Sequence, residues 1–492
     1  MLLRTLIQKL GPSTVDGPLD RQIAGLAYDS RRVTPGMVFF AVPGLNVDGH
    51  EFIATAVERG AAAVICENNG VVPLRTTRIR VPDARQALAR AAAAYYEHPS
   101  TRLKVIGVTG TNGKTIVCFM LKHMAEVAGL SAGLVSTIRY EVGERVIPAQ
   151  RTTPEALEIQ QMLASMVRAR CDACVMEVSS HALEQSRVAD ISFDLAVFTN
   201  LTQDHLDYHG TMEAYFAAKR RLFEALRAGT KPGGAVINID DAFGARLAKE
   251  TTAEVRLTYG TDASARLRAS KIELRPDGTR MWVEGEGGAF QCHLPLIGRH
   301  NVYNALAALG AGLVLEWPKD ALRSSLESMP PVPGRLERLE HGQPFSVFVD
   351  YAHSESALRY TLSTLREIGT GRVLLAFGCG GSRDIGKRAA MGRAAAELAD
   401  FTMITSDNPR RESPEEIAAA IEAGYQAARQ DGYLVELDRR RAIDELIRRA
   451  EPGDTVLIAG KGHETYQEFQ DTVIPFDDRQ YARETLQILG YG

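Results

Sequence analysis

Short apolar segments alternate with longer segments of helical periodicity along most of the chain. Strand-like segments at residues 37–42 and 62–66 are followed by a helical segment at 84–96. Further strand-like segments lie at residues 173–178 and 193–199. This alternation is typical of α/β folds with mostly parallel sheets.

The pattern divides the chain of 492 residues into three predicted domains, in line with about 150 residues per domain. Between residues 267 and 296 the apolar segments become short and are separated by turn sequences, which predicts an antiparallel insertion. The proline-rich residues 330–334 are typical of a linker. The predicted domains are residues 1–102, 103–334 and 335–492.

A glycine-rich segment, residues 107–115, connects an apolar segment to a helical one at 116–127. Glycines let consecutive backbone N–H groups point at an anion, and the helix N-terminus adds positive potential. Lys114 can reach the β and γ phosphates of a nucleotide, and Thr115 can offer its hydroxyl to Mg²⁺. The segment therefore predicts an ATP-binding phosphate loop, although Val108 replaces the first glycine of the strict G-x-x-x-x-G-K-[ST] pattern.

In the third predicted domain, four apolar strands are each followed at once by polar, glycine-rich sequence. The loops are residues 350–353, 378–384, 406–410 and 459–464. The carboxyl ends of parallel strands meet at one edge of a sheet, so the four loops are expected to line one crevice. The glycines at 378, 380 and 381 lack the G-x-G-x-x-G spacing, which argues against a dinucleotide site.

Composition limits the partners. The net charge is −4 and no basic block stands out, so neither nucleic acid nor an anionic membrane is expected as a partner, and the substrate is expected to be small. No run of about 18 apolar residues occurs, which predicts a cytosolic protein, here expected to be a monomer. The six cysteines do not form a disulfide framework, and Cys171 and Cys174 have no second CxxC to complete a metal site.

Two residues at strand ends are candidate ligands for Mg²⁺, which prefers oxygen donors. Glu177 ends one predicted strand and His205 follows the next, at the same edge as the phosphate loop. Taken singly, each is more often structural. His205 and His209 are four residues apart without an H-E-x-x-H motif, which argues against zinc.

Several motifs, in this order, resemble the Mur ligases, the ATP-dependent amide-forming enzymes of peptidoglycan precursor synthesis. They are GTNGKT at 110–115, EVSSH at 177–181, NLTQDH at 200–205, YFAAK at 215–219, NVYN at 301–304 and PGR at 333–335. Three more motifs narrow the resemblance to the branch that adds 2,6-diaminopimelate: YDSR at 28–31, RTTP at 151–154 and DNPR at 407–410. The match spans nearly the whole chain.

The resemblance implies a three-domain α/β architecture. A UDP-sugar-binding domain is followed by a central phosphate-loop ATPase-type domain and a Rossmann-like C-terminal domain. It also implies that Lys219 carries a carbamate, as N6-carboxylysine, which can hold a second Mg²⁺ where a bare ammonium would be repelled. Without the family, Lys219 reads as a solvated helix lysine ahead of Arg220 and Arg221.

The family pattern assigns roles residue by residue. The implied ATP-binding residues are Gly110, Thr111, Asn112, Gly113, Lys114, Thr115, Asn301, Asn304, Arg335 and Asp350. The implied metal ligands are Thr115, Glu177, His205 and Lys219 as its carbamate, and the implied catalytic residues are Lys114, Lys219, Glu177 and His205.

Two further sets are implied for the other substrates. The UDP-N-acetylmuramoyl-L-Ala-D-Glu set is Ser30, Asn46 with its neighbour Leu45, Thr152, Thr153, Ser179, Gln185 and Arg187. The meso-diaminopimelate set is Arg383, Asp407, Asn408, Pro409, Arg410, Gly460 and Glu464. Arginines paired with carboxylates complement a ligand that carries two carboxylates and two ammonium groups.

The implied reaction uses ATP and Mg²⁺ to activate the D-glutamate carboxylate as an acyl phosphate, which the diaminopimelate amine then attacks. Substrates held on separate domains imply domain closure. Three alternatives remain open: an L-lysine-adding ligase of the same family, a folylpolyglutamate synthetase-like ligase, and a phosphate-loop ATPase module that is not a ligase.

Overall fold

The computed structural model describes residues 1–44, 47–68, 76–228, 231 and 233–492. The chain divides into two compact units. The first comprises residues 1–268, 284–288 and 303–325, and the second comprises residues 269–283, 289–302 and 326–492. Within the described ranges, no helix combines the length and apolar character needed to cross a membrane.

The helices have the following bounds: α1 Leu3–Leu10, α2 Ile53–Glu58, α3 Ala84–Tyr95, α4 Lys114–Val127, α5 Ala156–Arg168, α6 Ser180–Glu184, α7 Leu206–His209, α8 Met212–Ala228, α9 Ala242–Glu250, α10 Arg299–Val314, α11 Lys319–Glu327, α12 Glu355–Ile368, α13 Lys387–Leu398, α14 Pro414–Gln426, α15 Arg439–Arg448 and α16 Asp478–Ile488.

The strands have the following bounds: β1 Thr14–Asp16, β2 Gly25–Ala27, β3 Met37–Phe40, β4 Ala63–Cys66, β5 Thr77–Arg80, β6 Lys104–Thr109, β7 Ala132–Val135, β8 Arg139–Val142, β9 Arg145–Pro148, β10 Ala173–Glu177, β11 Leu195–Phe198, β12 Gly234–Asn238, β13 Val255–Gly260, β14 Leu267–Arg275, β15 Gly278–Gly285, β16 Gly288–Leu294, β17 Glu337–Leu339, β18 Ser346–Asp350, β19 Val373–Phe377, β20 Phe401–Ile404, β21 Tyr433–Val435, β22 Thr455–Ala459, β23 Tyr466–Phe469 and β24 Thr472–Pro475.

The first unit contains two sheets. One has the strand order β1-β5-β4-β3-β2, parallel except for the β1–β5 pair. In the other, strands follow the order β13-β12-β11-β6-β10-β7-β8-β9, with parallel pairing from β13 to β7. The parallel strands β6, β10 and β11 are neighbours, so the loops that follow them meet at one edge.

The second unit contains a sheet with the order β17-β18-β22-β19-β20-β21, parallel from β18 to β21. Alternate strand residues face two apolar clusters, one containing α12, α13 and α14 and the other α15 and α16. The four strands predicted to end in polar loops are adjacent and parallel, which confirms that their loops share one edge. The segment predicted as an antiparallel insertion forms three successive neighbouring strands, β14, β15 and β16.

Candidate active site

The phosphate loop lies between the end of β6 at Thr109 and the start of α4 at Lys114. Gly110 has φ 150° and Gly113 has φ 87°, both in the region that favours glycine. A Cβ at Gly110 would lie 1.9 Å from Thr199 Oγ1, and one at Gly113 would lie 2.3 Å from Asn304 Oδ1. The two glycines therefore keep open a backbone cradle of the kind that phosphate binding needs.

The loop after β11 braces this cradle. Thr111 N donates to Asn200 O at 2.9 Å, and Asn112 N donates to Asn200 Oδ1 at 3.0 Å. Thr199 Oγ1 donates to Asn112 O at 2.6 Å. Sequence reasoning treated Asn200 only as part of a motif and gave Thr199 no role. Both residues directly follow β11, which pairs with β6, so a prediction of this strand pairing would have placed them beside the phosphate loop.

Lys114 and Thr115 begin the helix that follows the loop. Lys114 Nζ donates to Gly110 O and to Thr111 O, each at 2.8 Å, so its ammonium lies over the loop. Thr115 is buried in the first turn. Both residues are therefore placed where the phosphate-loop pattern requires them.

We expect Gly113→Ala to lower kcat/KM for ATP by about 10²-fold, because a misplacement of about 1 Å in a positioning element can have that effect. The matched control is Gly129→Ala, whose φ is 80° but whose Cβ would meet nothing within 4 Å. In both variants alanine must adopt the left-handed region of backbone conformation, which lowers the folding stability by about 1–2 kcal/mol. Steady-state kinetics and thermal unfolding of the two variants separate the effect of the clash with Asn304 from that of backbone strain. An equal fall in kcat/KM for ATP in both variants would contradict a role for Gly113 in phosphate binding.

Lys219 on α8 is 1% exposed. Its Nζ donates to Gly110 O at 2.8 Å and lies 4.4 Å from the centre of the Tyr215 ring. Burial, and then the charge of Lys114, hold the pKa of Lys219 well below its ordinary value, with Asp204 acting in the opposite direction. The side chain is thus a buried amine in contact with the phosphate loop, with a lowered affinity for a proton.

Glu177, at the end of β10, is buried, and its carboxylate is held by one neighbour. Oε1 accepts from Thr137 N at 2.8 Å, and Oε2 accepts from Thr137 Oγ1 at 3.1 Å. His205 is half exposed and has φ 53°. Across the described part of the chain, no group of three His, Cys, Asp or Glu side chains is arranged to hold a metal. The ligand set of Thr115, Glu177, His205 and Lys219 therefore stays a prediction.

Aromatic rings surround His205 in an arrangement that sequence reasoning missed. The His181 ring lies 4.9 Å from the His205 ring, and the His209 ring is stacked on Tyr215 at 5.0 Å. Burial, and then the neighbouring His205 and His209, lower the pKa of His181 to about 4. His181 ends the EVSSH motif, which was the only signal in the sequence. At neutral pH the His181 ring is therefore uncharged where it lines this side of the site.

The residues assigned to the muramoyl dipeptide lie together, with two exceptions. Thr153 Oγ1 accepts from Ser179 N at 3.1 Å, and Arg187 donates both to Thr153 O at 3.0 Å and to Gln185 Oε1 at 2.8 Å. Thr152 precedes Thr153 in the chain, and its Oγ1 lies 3.0 Å from Thr137 Oγ1.

Ser179 is also the N-cap of α6, as its oxygen accepts from Ala182 N at 3.2 Å. The exceptions are Ser30 and Asn46. Ser30 is buried in a short 3₁₀-helix, Ser30–Arg32, and among the described residues no hydrogen bond joins it to this group. Asn46, with Leu45, lies outside the described residues.

The other assigned ATP residues fall in different surroundings. Asn304 lies against Gly113, since a Cβ at Gly113 would be only 2.3 Å from Asn304 Oδ1. Asn301 Nδ2 donates to Ile297 O at 2.9 Å. Asp350 is partly buried and accepts from Leu336 N at 2.7 Å and Ala352 N at 3.0 Å, so its carboxylate supports the backbone. The Arg335 guanidinium lies 4.8 Å from the Tyr351 ring centre.

Most of the residues assigned to diaminopimelate lie close together in the second unit. Asn408 Nδ2 donates to Glu464 Oε2 at 2.9 Å, and a Cβ at Gly460 would lie 2.7 Å from Asp407 Oδ2. Arg410 follows Pro409 with φ 54°. Gly381 N donates to Asn408 O at 2.9 Å, so three of the predicted loops, residues 378–384, 406–410 and 459–464, are in contact.

Two charged residues in this site were missed. Lys461 is fully buried, and its Nζ donates to Asn408 Oδ1 at 3.0 Å and to Glu464 Oε2 at 2.9 Å. Glu468 Oε2 accepts from Arg410 Nε at 2.9 Å. Arg383 is exposed, and no hydrogen bond or ion pair joins it to these side chains within the described residues.

Three protein-family models match the chain. They are the Mur ligase middle domain at residues 108–312, the Mur ligase glutamate ligase domain at 334–462, and the Mur ligase family catalytic domain at 22–96. The chain belongs to the Mur ligase family, and it has that family's three-domain α/β architecture. The family and the fold class predicted from the motifs are therefore confirmed.

Two relatives that match nearly the whole chain carry the same activity in their names. The chain is 44% identical over 487 residues to the UDP-N-acetylmuramoyl-L-alanyl-D-glutamate–2,6-diaminopimelate ligase of Syntrophomonas wolfei, covering 99% of each chain. It is 46% identical over 471 residues to that of Solibacter usitatus, covering 96% of this chain and 94% of the relative. A solved structure of a ligase of this name matches with a TM-score of 0.72 and 31% identity, covering 100% of each chain.

Proposed function

We propose that this protein is an ATP-dependent ligase that joins meso-2,6-diaminopimelate to the D-glutamate of UDP-N-acetylmuramoyl-L-Ala-D-Glu in peptidoglycan precursor synthesis. The observation that carries the proposal is the likeness to diaminopimelate ligases over 99% of both chains. The phosphate loop and the converging loops of the second unit supply the chemistry that such a reaction needs.

ATP fits the phosphate loop on two grounds. The cradle that a Cβ would fill at Gly110 and Gly113 leaves room for phosphate oxygens, and the Lys114 ammonium lies over the same loop. Fixed donors and a cation at this point stabilise the charge that develops on a transferred phosphoryl group.

Mg²⁺ fits the donor set of Thr115, Glu177, His205 and a carboxylated Lys219, which combines oxygen donors with one imidazole. When bound, Mg²⁺ would neutralise charge on the phosphates. The lowered pKa of Lys219 leaves more of its amine unprotonated, and the neutral amine is the form that adds to carbon dioxide. The new N–C bond gives a carbamate and releases one proton.

In the proposed reaction, the D-glutamate side-chain carboxylate attacks the γ phosphorus of ATP and ADP leaves, which gives an acyl phosphate. The unprotonated amine of diaminopimelate attacks the acyl carbon, phosphate departs and the amine loses a proton as the amide forms. Arg187, placed beside Thr153 and Gln185, is suited to an anionic group of the nucleotide substrate. Asp407 and Glu464 suit the ammonium of the incoming amino acid.

We expect phosphate release to require both the UDP-muramoyl dipeptide and an amino acid. The measurement is phosphate release with each substrate omitted in turn, together with mass analysis of the peptide product. Lys114→Met should abolish both readouts, and Lys249→Met, which changes an exposed lysine at the end of α9, should change neither. Rapid ATP hydrolysis with neither acceptor, and no peptide product, would support an ATPase module instead.

A further inference from the structure

We propose that Arg388 and Glu412 form a positioning pair, which fixes the loop carrying Arg383 against the loop carrying Arg410 and so sets the affinity for the amino acid substrate. The inference rests on the proposed function and concerns two residues to which that function assigns no role. Neither residue is placed against the substrate. Both are expected to act through the arginines.

Arg388, the second residue of α13, is 3% exposed. Its Nη2 donates to Glu412 Oε2 at 2.7 Å. Its Nε is buried and has no hydrogen-bond partner among the described residues. A buried guanidinium is costly without a partner, so its contact with Glu412 is a strong constraint on where the loop after Arg410 lies.

Glu412 connects this cation to the other loop. Its Oε1 accepts from the backbone N–H of Ser382, the residue before Arg383. Ser382 has φ 53°, a conformation that non-glycine residues adopt at a cost and keep only where the surroundings hold them. The two hydrogen bonds, from Ser382 and then from Arg388, lower the pKa of Glu412, which favours its charged form.

On the other side of Ser382, the same two loops already touch. Gly381 N donates to Asn408 O at 2.9 Å, and Arg410 Nη1 donates to Gly381 O at 2.9 Å. These bonds hold the loop only as far as Gly381. Arg383 itself is exposed and is not tethered through its side chain within the described residues. The backbone at Ser382 therefore sets the point from which the Arg383 side chain extends, and Glu412 holds that backbone.

The test compares Arg388→Met and Glu412→Gln with Arg393→Met, which removes an exposed arginine from the same helix. In each pair variant we expect KM for diaminopimelate to rise by about tenfold or more, since small displacements of positioning groups have large kinetic effects. KM for ATP and for the nucleotide, and kcat, should stay close to the unmutated values. Arg393→Met should leave all of them unchanged.

A double-mutant cycle separates positioning from a merely structural role. Arg383→Ala should raise KM for diaminopimelate in the unmutated background and add little once Arg388 is methionine, because Arg383 is then already misplaced. Glu412→Gln serves the same cycle if Arg388→Met does not fold. The proposal would be overturned if the two substitutions raised KM for diaminopimelate by independent factors that multiply in the double variant. It would also be overturned if the pair variants raised KM equally for all three substrates. The proposed function is judged separately, by whether the unmutated protein uses diaminopimelate at all.

Discussion

Replacing Lys219 by alanine is expected to lower kcat by about 10³-fold, the loss typical of removing a group that stabilises charge in the transition state. The side chain is buried against the carbonyl of Gly110, so a carbamate on its nitrogen would put an anion beside the phosphate loop. Steady-state kinetics at saturating substrates measure the effect. Lys249→Ala, at an exposed position on another helix, is the matched control.

Formate or acetate should restore part of the activity of Lys219→Ala, because a small carboxylate can occupy the space of the missing carbamate. It should not restore activity to Lys114→Ala, whose lost group is a cation. Carbon-13 NMR of the unmutated protein with labelled bicarbonate should show a carbamate signal that is missing in Lys219→Ala. An active, nucleotide-bound crystal with an unmodified Lys219 would falsify the carbamate assignment.

The lowered pKa of Lys219 gives the carbamate a definite pH dependence. Above that pKa the amine is neutral and can add to carbon dioxide, and below it the amine is protonated and cannot. Acidification in carbon-dioxide-free buffer is therefore expected to strip the carbamate. Activity should return on raising the pH only when bicarbonate is supplied. Recovery without bicarbonate would contradict the carbamate assignment.

Most of the fold was predictable because buried parallel strands have an apolar pattern that is hard to mistake. β18, β19, β20 and β22 each end within two residues of the start of the loop predicted to follow them. Their order was not predictable, because β22 pairs with both β18 and β19 although β20 and β21 precede it in the chain. The hairpin of β23 and β24 was missed, since its second strand is exposed along its length and lacks the alternation that marks a half-buried strand.

The site was less predictable, and Lys219 shows why. On residue type alone it reads as a solvated helix lysine, yet it shares a buried helix face with Tyr215, Leu222 and Leu226. Their spacing of four, three and four residues was a signal of burial that the charge concealed. Lys461 was missed for a similar reason, because its burial depends on contacts with Asn408, which lies far away in sequence.

The second large effect concerns the choice of amino acid. We expect kcat/KM for L-lysine to be about 10⁴-fold lower than kcat/KM for meso-diaminopimelate, because a site built to pair a polar group rejects an analogue that lacks the group. Diaminopimelate carries a second carboxylate where lysine has a hydrogen. Arg410 donates through Nε to Glu468 and through Nη1 to Gly381 O. Its Nη2 donates to no group in the described part of the chain, so it is suited to take that carboxylate.

Arg410→Ala is expected to raise KM for diaminopimelate far more than KM for ATP or the nucleotide, because a hydrogen bond to a charged group contributes about 1.5–3 kcal/mol. Arg383→Ala should act in the same direction. Arg411→Ala, at the exposed neighbouring position, is the matched control and should leave the kinetics unchanged. If the unmutated protein used lysine and diaminopimelate with comparable kcat/KM, Arg410 would not be the carboxylate-binding group. The chain would then be a lysine-adding or unselective ligase with the same phosphate-loop chemistry.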